Sequence, residues 1–92
     1  METKPLEVYS VASNFGIVRM PGRNFPGCVI QGDSLKILWR KARSVLERLG
    51  TDANEELRED AADLVEALDD RLKHYESVLA EHGFELPYPP RK

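Results

Sequence analysis

Apolar residues recur along this chain with two different periods, and the change of period divides it. Between Leu6 and Ile30 they fall in short runs broken by Gly, Pro, Ser and Asn, as in short strands. From Leu35 onward they return every three or four residues, as in amphipathic helices. Residues 6–20, LEVYSVASNFGIVRM, hold two candidate strands. The first sets Leu6, Val8 and Ser10 on one side against Glu7, Tyr9 and Val11 on the other, so neither side is cleanly apolar. Ser13-Asn14 offers turn residues, and Phe15 to Met20 can return antiparallel as the second arm of a hairpin. Pro21 lacks the N–H that would continue a ladder and ends that arm. Two Pro-Gly pairs, Pro21-Gly22 and Pro26-Gly27, enclose Arg23, Asn24 and Phe25 as a loop rich in turn chemistry. Cys28 to Gln31 then forms a third strand.

Asp33 or Ser34 is a candidate cap for a first helix over residues 34–49, which Gly50 stops. Leu35, Leu38, Ala42, Val45 and Leu49 make one apolar face, widened by Trp39 and Leu46. Asp52, with Glu55 three residues on, has the spacing of a capping box and opens a second helix over residues 52–82, with Gly83 at its end and Pro87 beyond. About thirty residues at ~1.5 Å each give roughly 45 Å of helix, more than a small sheet of short strands covers. Its stripe, Leu57, Ala61, Leu64, Leu68, Leu72, Tyr75 and Leu79, places Leu57, Leu68 and Leu79 eleven residues apart, a repeat that keeps one face of a nearly straight helix inward. Leu57, Leu64, Leu68, Leu72, Tyr75 and Leu79 are therefore the expected oligomer interface, pairing two copies in a homodimer. A two-helix hairpin that closes its own core is the alternative. The tail, residues 84–92, is too proline-rich for helix and is expected to be extended and frayed, unless it folds back to lay Phe84, Leu86 and Tyr88 on apolar surface.

The pattern thus predicts an α+β protein: one domain over residues 1–83, with a small antiparallel sheet of about three strands, a core helix and a long acidic second helix. Ninety-two residues bury only a modest core, so burial against a partner is expected. The net charge of −3 conceals a division: the chain through Gly50 carries +4 and the remainder −7. Opposite fields of this kind meet within the chain, between copies, or face unlike partners. With no apolar run of membrane-spanning length and no signal-peptide pattern, the expected location is cytoplasmic and off the membrane. One cysteine excludes an internal disulfide and a Cys-rich zinc site.

Convergent chemistry is scarce. His74 and His82 stand about 12 Å apart along one helix and cannot share a metal within a chain. Glu55, Glu59, Asp63 and Glu66 have no EF-hand spacing and read as a solvated acidic face. Cys28, in a strand with no base nearby in sequence, reads as a packing residue. Gly32-Asp33-Ser34 lacks the glycines of a phosphate loop and reads as a strand-to-helix junction. No catalytic residue, metal site or cofactor is assigned, and no enzyme is expected. Arg23 is the most suggestive exposed residue, a cation on a stiff loop suited to a carboxylate or phosphate. Lys36, Arg40, Lys41 and Arg43 form a basic helix face whose ordinary reading is solvation; nucleic-acid binding through it is a lesser alternative.

Residues 25–49, FPGCVIQGDSL followed by an amphipathic helix, resemble the core of the HicB-type antitoxin fold, in which a Pro-Gly-Cys strand and a Gly-Asp-Ser turn lead into the first helix. The matching positions are Pro26, Gly27, Cys28, Gln31, Gly32, Asp33 and Ser34. The whole chain is also similar to a small bacterial family of uncharacterised proteins marked by PGR, FPG and IQGDSL, here Pro21 to Leu35. The resemblance implies a sheet with a helix packed on it that binds a protein without catalysis. The expected function is therefore a bacterial interaction protein of antitoxin or immunity type. Its expected partner-binding residues are Arg23, Asn24, Phe25, Glu59, Asp63 and Glu66, the carboxylates suiting a basic partner such as a nuclease toxin. A homo-oligomeric structural or adaptor subunit is the alternative.

Overall fold

A computed structural model describes residues 1–12, 15–51 and 54–89. The order is β1 (Glu7–Ser10), β2 (Phe15–Arg19), β3 (Gly27–Ile30), α1 (Gly32–Arg48) and α2 (Glu55–Glu81), an α+β arrangement. The chain forms two compact units, Met1–Gln31 and Gly32–Lys92, each described by itself below.

In the first unit the three strands form one antiparallel sheet in the order β1-β2-β3. Val8 faces Val18 and Ser10 faces Ile17, so Tyr9 is an extra residue that bulges β1. That insertion interrupts the two-residue alternation of side chains along β1. The Ser13-Asn14 turn lies outside the described residues. After β2, the Arg23 N–H donates to the Met20 carbonyl at 3.1 Å, and Gly22 has φ +80°. This is a type II turn, with Pro21 and Gly22 in the positions that need a fixed φ and a positive φ. The second Pro-Gly pair acts differently: Gly27 opens β3 and pairs with Val18.

The second unit is a helical hairpin with its own core, which is the alternative form weighed for the long helix. α1 starts at Gly32, before the anticipated cap, so Asp33 lies inside the first turn, where its carboxylate accepts the Ser34 N–H at 2.8 Å. A negative charge suits the positive end of the helix dipole there. Gly32 is buried, and a Cβ at this position would collide with the Tyr75 ring. The beginning of α1 therefore lies against the later part of α2. Its end lies near the beginning of α2, because Arg58 Nη2 donates to the Leu49 carbonyl at 2.9 Å and also to that of Gly50. The two helices are antiparallel. Arg58 places a cation on the carbonyls that α1 leaves unsatisfied.

Asp52, the anticipated start of the capping box, lies outside the described residues. Asn54 caps α2 instead, its side-chain oxygen accepting the N–H groups of Glu56 at 2.8 Å and Leu57 at 3.3 Å. At the far end, Gly83 takes φ +73°, Gly83 N–H donates to the Ala80 carbonyl and Phe84 N–H to that of Leu79. This pair of bonds is the Schellman closure that a glycine after a helix permits. Twenty-seven residues give α2 about 40 Å.

Leu35, Trp39 and Ala42 from α1 and Leu72 from α2 are the buried apolar residues. Leu72 is fully buried, with 0% exposure, and is a core residue of the subunit; it is not available to a second copy. The tail returns to the hairpin: Tyr88 Oη donates to Glu76 at 2.8 Å, and its ring lies 5.0 Å from the Lys36 ammonium. Tyr88 thus takes the folded-back position considered for the tail; Pro90, Arg91 and Lys92 lie outside the described residues.

Candidate functional site

Amphipathic helices of unequal breadth leave part of their apolar faces uncovered. The α1 and α2 stripes are each wider than the line along which the helices meet, so one flank of the hairpin stays open. Leu38, Lys41, Ala42 and Val45 from α1 line a groove with Ala61, Leu64 and Leu68 from α2. Lys41 is the one polar side chain in it. Leu38 is 45% exposed, Val45 55%, Leu57 52% and Leu64 54%. Leu38 and Val45 are seven residues apart, as are Leu57 and Leu64, so each helix presents two consecutive large side chains on one flank. Isolated exposed apolar residues are ordinary; here four large ones lie on one flank of two adjacent helices.

The expected interface residues therefore divide. Leu57 and Leu64 are open, Leu72 is interior, and Leu68, Tyr75 and Leu79 are half-buried. Leu38 and Val45 belong to the strip but were not anticipated in it. Their signal was present in the 3-4 spacing of α1, which was assigned wholly to an internal core. Leu35, Trp39 and Ala42 of that face are buried, and Leu46 and Leu49 half-buried.

The expected partner-binding residues fall in different units. Glu59, Asp63 and Glu66 are exposed on α2. Their spacing of four and three places them together; Glu59 and Glu66 are turned away from Leu57 and Leu64, while Asp63, in line with Glu56, is the nearest of the three to that flank. Arg23, Asn24 and Phe25 are exposed in the first unit. Arg23 and Asn24 there line an open cleft with Pro5, Glu7, Arg19 and Pro21. Arg19 and Glu7 face each other across β1 and β2, and Arg19 Nε donates to Glu7 Oε2, which also accepts from Tyr9 Oη at 3.2 Å. The guanidinium holds the Glu7 carboxyl below the usual carboxylate range, and the carboxylate raises Arg19 in turn.

The basic face of α1 is interrupted. Lys36 is 3% exposed, with its ammonium 4.4 Å from the Trp39 ring and the Tyr88 ring on it as well. Its charge is held by aromatic faces. Arg43 lies 4.9 Å from the same indole and pairs with Glu47 at 3.3 Å. Arg40, Lys41 and Arg43 are exposed, so of the four basic residues Lys36 alone is withdrawn from solvent.

Cys28, expected to pack, is exposed in β3, an edge strand of the sheet. Among the described residues no group of three or more His, Cys, Asp and Glu is arranged to hold a metal ion. No described helix is long and apolar enough to cross a membrane.

The chain belongs to DUF6959, a family of unknown function, whose model matches residues 1–88. No curated protein and no solved structure matches it.

Proposed function

We propose that this member of the family is a non-catalytic protein-interaction module whose working surface is the open apolar flank of its helical hairpin. The observation that carries the reading is the strip Leu38, Val45, Leu57 and Leu64, each about half exposed beside a nearly all-apolar groove. Burying four such side chains is worth on the order of 1 kcal/mol each, a contribution that counts against the cost of association. The test is a photo-crosslinking side chain placed at position 64 of the full chain in its native host, with position 85 as an exposed control. The expected result is a protein adduct at 64 and none at 85. No adduct at 64 would overturn the reading.

A second reading, of antitoxin or immunity type, rests on the separate exposed acidic face of α2. It sets a basic protein, of the kind a nuclease toxin would be, against Glu59, Asp63 and Glu66. Complementary charge would speed encounter with such a partner. Replacing the three with Lys would then abolish capture of a basic protein while leaving the crosslink at position 64.

A further inference from the structure

The apolar flank is bordered by unlike charges, and that asymmetry selects its occupant. α1 carries five basic and two acidic residues, α2 ten acidic and three basic. At the strip itself, Lys41 and Arg48 stand seven residues apart on the outer edge of α1, both exposed. On the outer edge of α2, Asp60 follows Leu57 by three residues and precedes Leu64 by four, with Glu56 one turn before it and Asp63 in line with Glu56, all exposed; the acidic stretch ends at Arg71, seven residues after Leu64. The flank is thus an apolar band with a basic rim on one side and an acidic rim on the other.

We infer that the occupant is a second copy of this chain, joined by a two-fold axis parallel to the helices so that α1 of each hairpin lies on α2 of the other. This inference rests on the reading of the flank as a protein interface. Two hairpins meeting face to face in a closed pair have two simple arrangements. With the axis across the helices, α1 lies on α1 and the basic rims meet. With the axis along the helices, α1 lies on α2, and each basic rim meets an acidic one.

Height along the hairpin favours the second arrangement further. Arg58 bonds the Leu49 carbonyl, so Arg48 stands level with the first turns of α2. An axis along the helices preserves height, which sets Arg48 of one copy beside Glu56 and Asp60 of the other. At preserved height Val45 meets Leu64 of the partner and Leu38 meets its Leu68, while Leu57 covers the end of the partner's α1, in a four-helix bundle. Helices of about 25 and 40 Å, each roughly 10 Å wide, give a face on the order of 650 Å² in projection, somewhat under the standard size. A standard interface buries about 800 Å² per partner.

Sedimentation of the purified full chain over micromolar concentrations tests the inference, with circular dichroism confirming that each variant keeps its helix content. The expected result is a dimer. Arg48→Glu with Lys41→Glu is expected to weaken it about tenfold or more, and adding Glu56→Arg with Asp60→Arg to restore it. Leu64→Asp, at a half-exposed site, is expected to give a folded monomer. A wild-type monomer throughout the range would overturn the inference. So would a dimer indifferent to both Leu64→Asp and the charge reversal, which would use another surface. If the chain is monomeric and position 64 crosslinks to a different protein, the second copy is refuted while the interaction reading stands. If neither occurs, both fall.

Discussion

The helical unit and the sheet unit reach their structures by different means. In the hairpin, side chains from two helices meet in a small core: Leu72 is fully enclosed, and Leu35, Trp39 and Ala42 are nearly so. In the sheet no described residue reaches that degree of burial, and Ser10, Gly16, Ile17, Val18, Arg19 and Ile30 are at most half-buried. The sheet is specified locally, by a type II turn, a bulge, two antiparallel ladders and the Glu7–Arg19 cross-strand pair. Strands held in this way are marginal on their own. Local pairing sets a conformation, while enclosure of side chains supplies most of the stability.

The sharpest way to break that comparison is to truncate one residue in each unit. Leu72→Ala should cost about 2–5 kcal/mol, from lost transfer energy and the cavity left behind. That is a large share of a small domain's stability, about 5–15 kcal/mol in all. Val8→Ala in β1, which is exposed, should stay within about 0.5 kcal/mol. Urea denaturation followed by circular dichroism measures both; equal losses would show that enclosure does not distinguish the units.

Gly32→Ala should come next, at about 1–3 kcal/mol, because the added methyl meets the Tyr75 ring. Tyr75→Ala in the same chain should recover much of the loss, and a purely additive pair would contradict the close approach.

The smallest effect belongs to the sheet. Arg19 lowers the Glu7 carboxyl, so the pair contributes stability that is present above the ordinary glutamate range and is lost as pH falls through the depressed folded value. Both groups are exposed, and the effect is slight. In Glu7→Gln this acid-side loss should be absent, read as a flatter dependence of the denaturation midpoint on pH below about 5.

Much of the fold was legible because period and punctuation agree. Pro21 and Gly22 announce their turn, Gly83 its helix end, and the change of period after Ile30 separates strands from helices. Helix starts were less legible: α1 begins at Gly32, before the cap candidates Asp33 and Ser34, and for α2 both Asp52 and Asn54 are good caps. Gly32 read as a turn residue, yet its tightest constraint is Tyr75, forty-three positions away, which no local pattern carries. Lys36 read as one charge of a basic face; the rings of Trp39 and Tyr88 that enclose it come together only in three dimensions. At the candidate interface the α2 half was visible in its stripe. The α1 half was hidden, because a 3-4 spacing marks an apolar face without saying which of its residues a partner helix leaves uncovered.

The most direct measurement of the central claim is hydroxyl-radical footprinting of the full chain at low and high concentration, quantified residue by residue. Leu38, Val45, Leu57 and Leu64 are expected to become protected together as concentration rises, while Phe84 and Phe25, both exposed, keep their reactivity. Unchanged reactivity of those four residues across the range would contradict the claim.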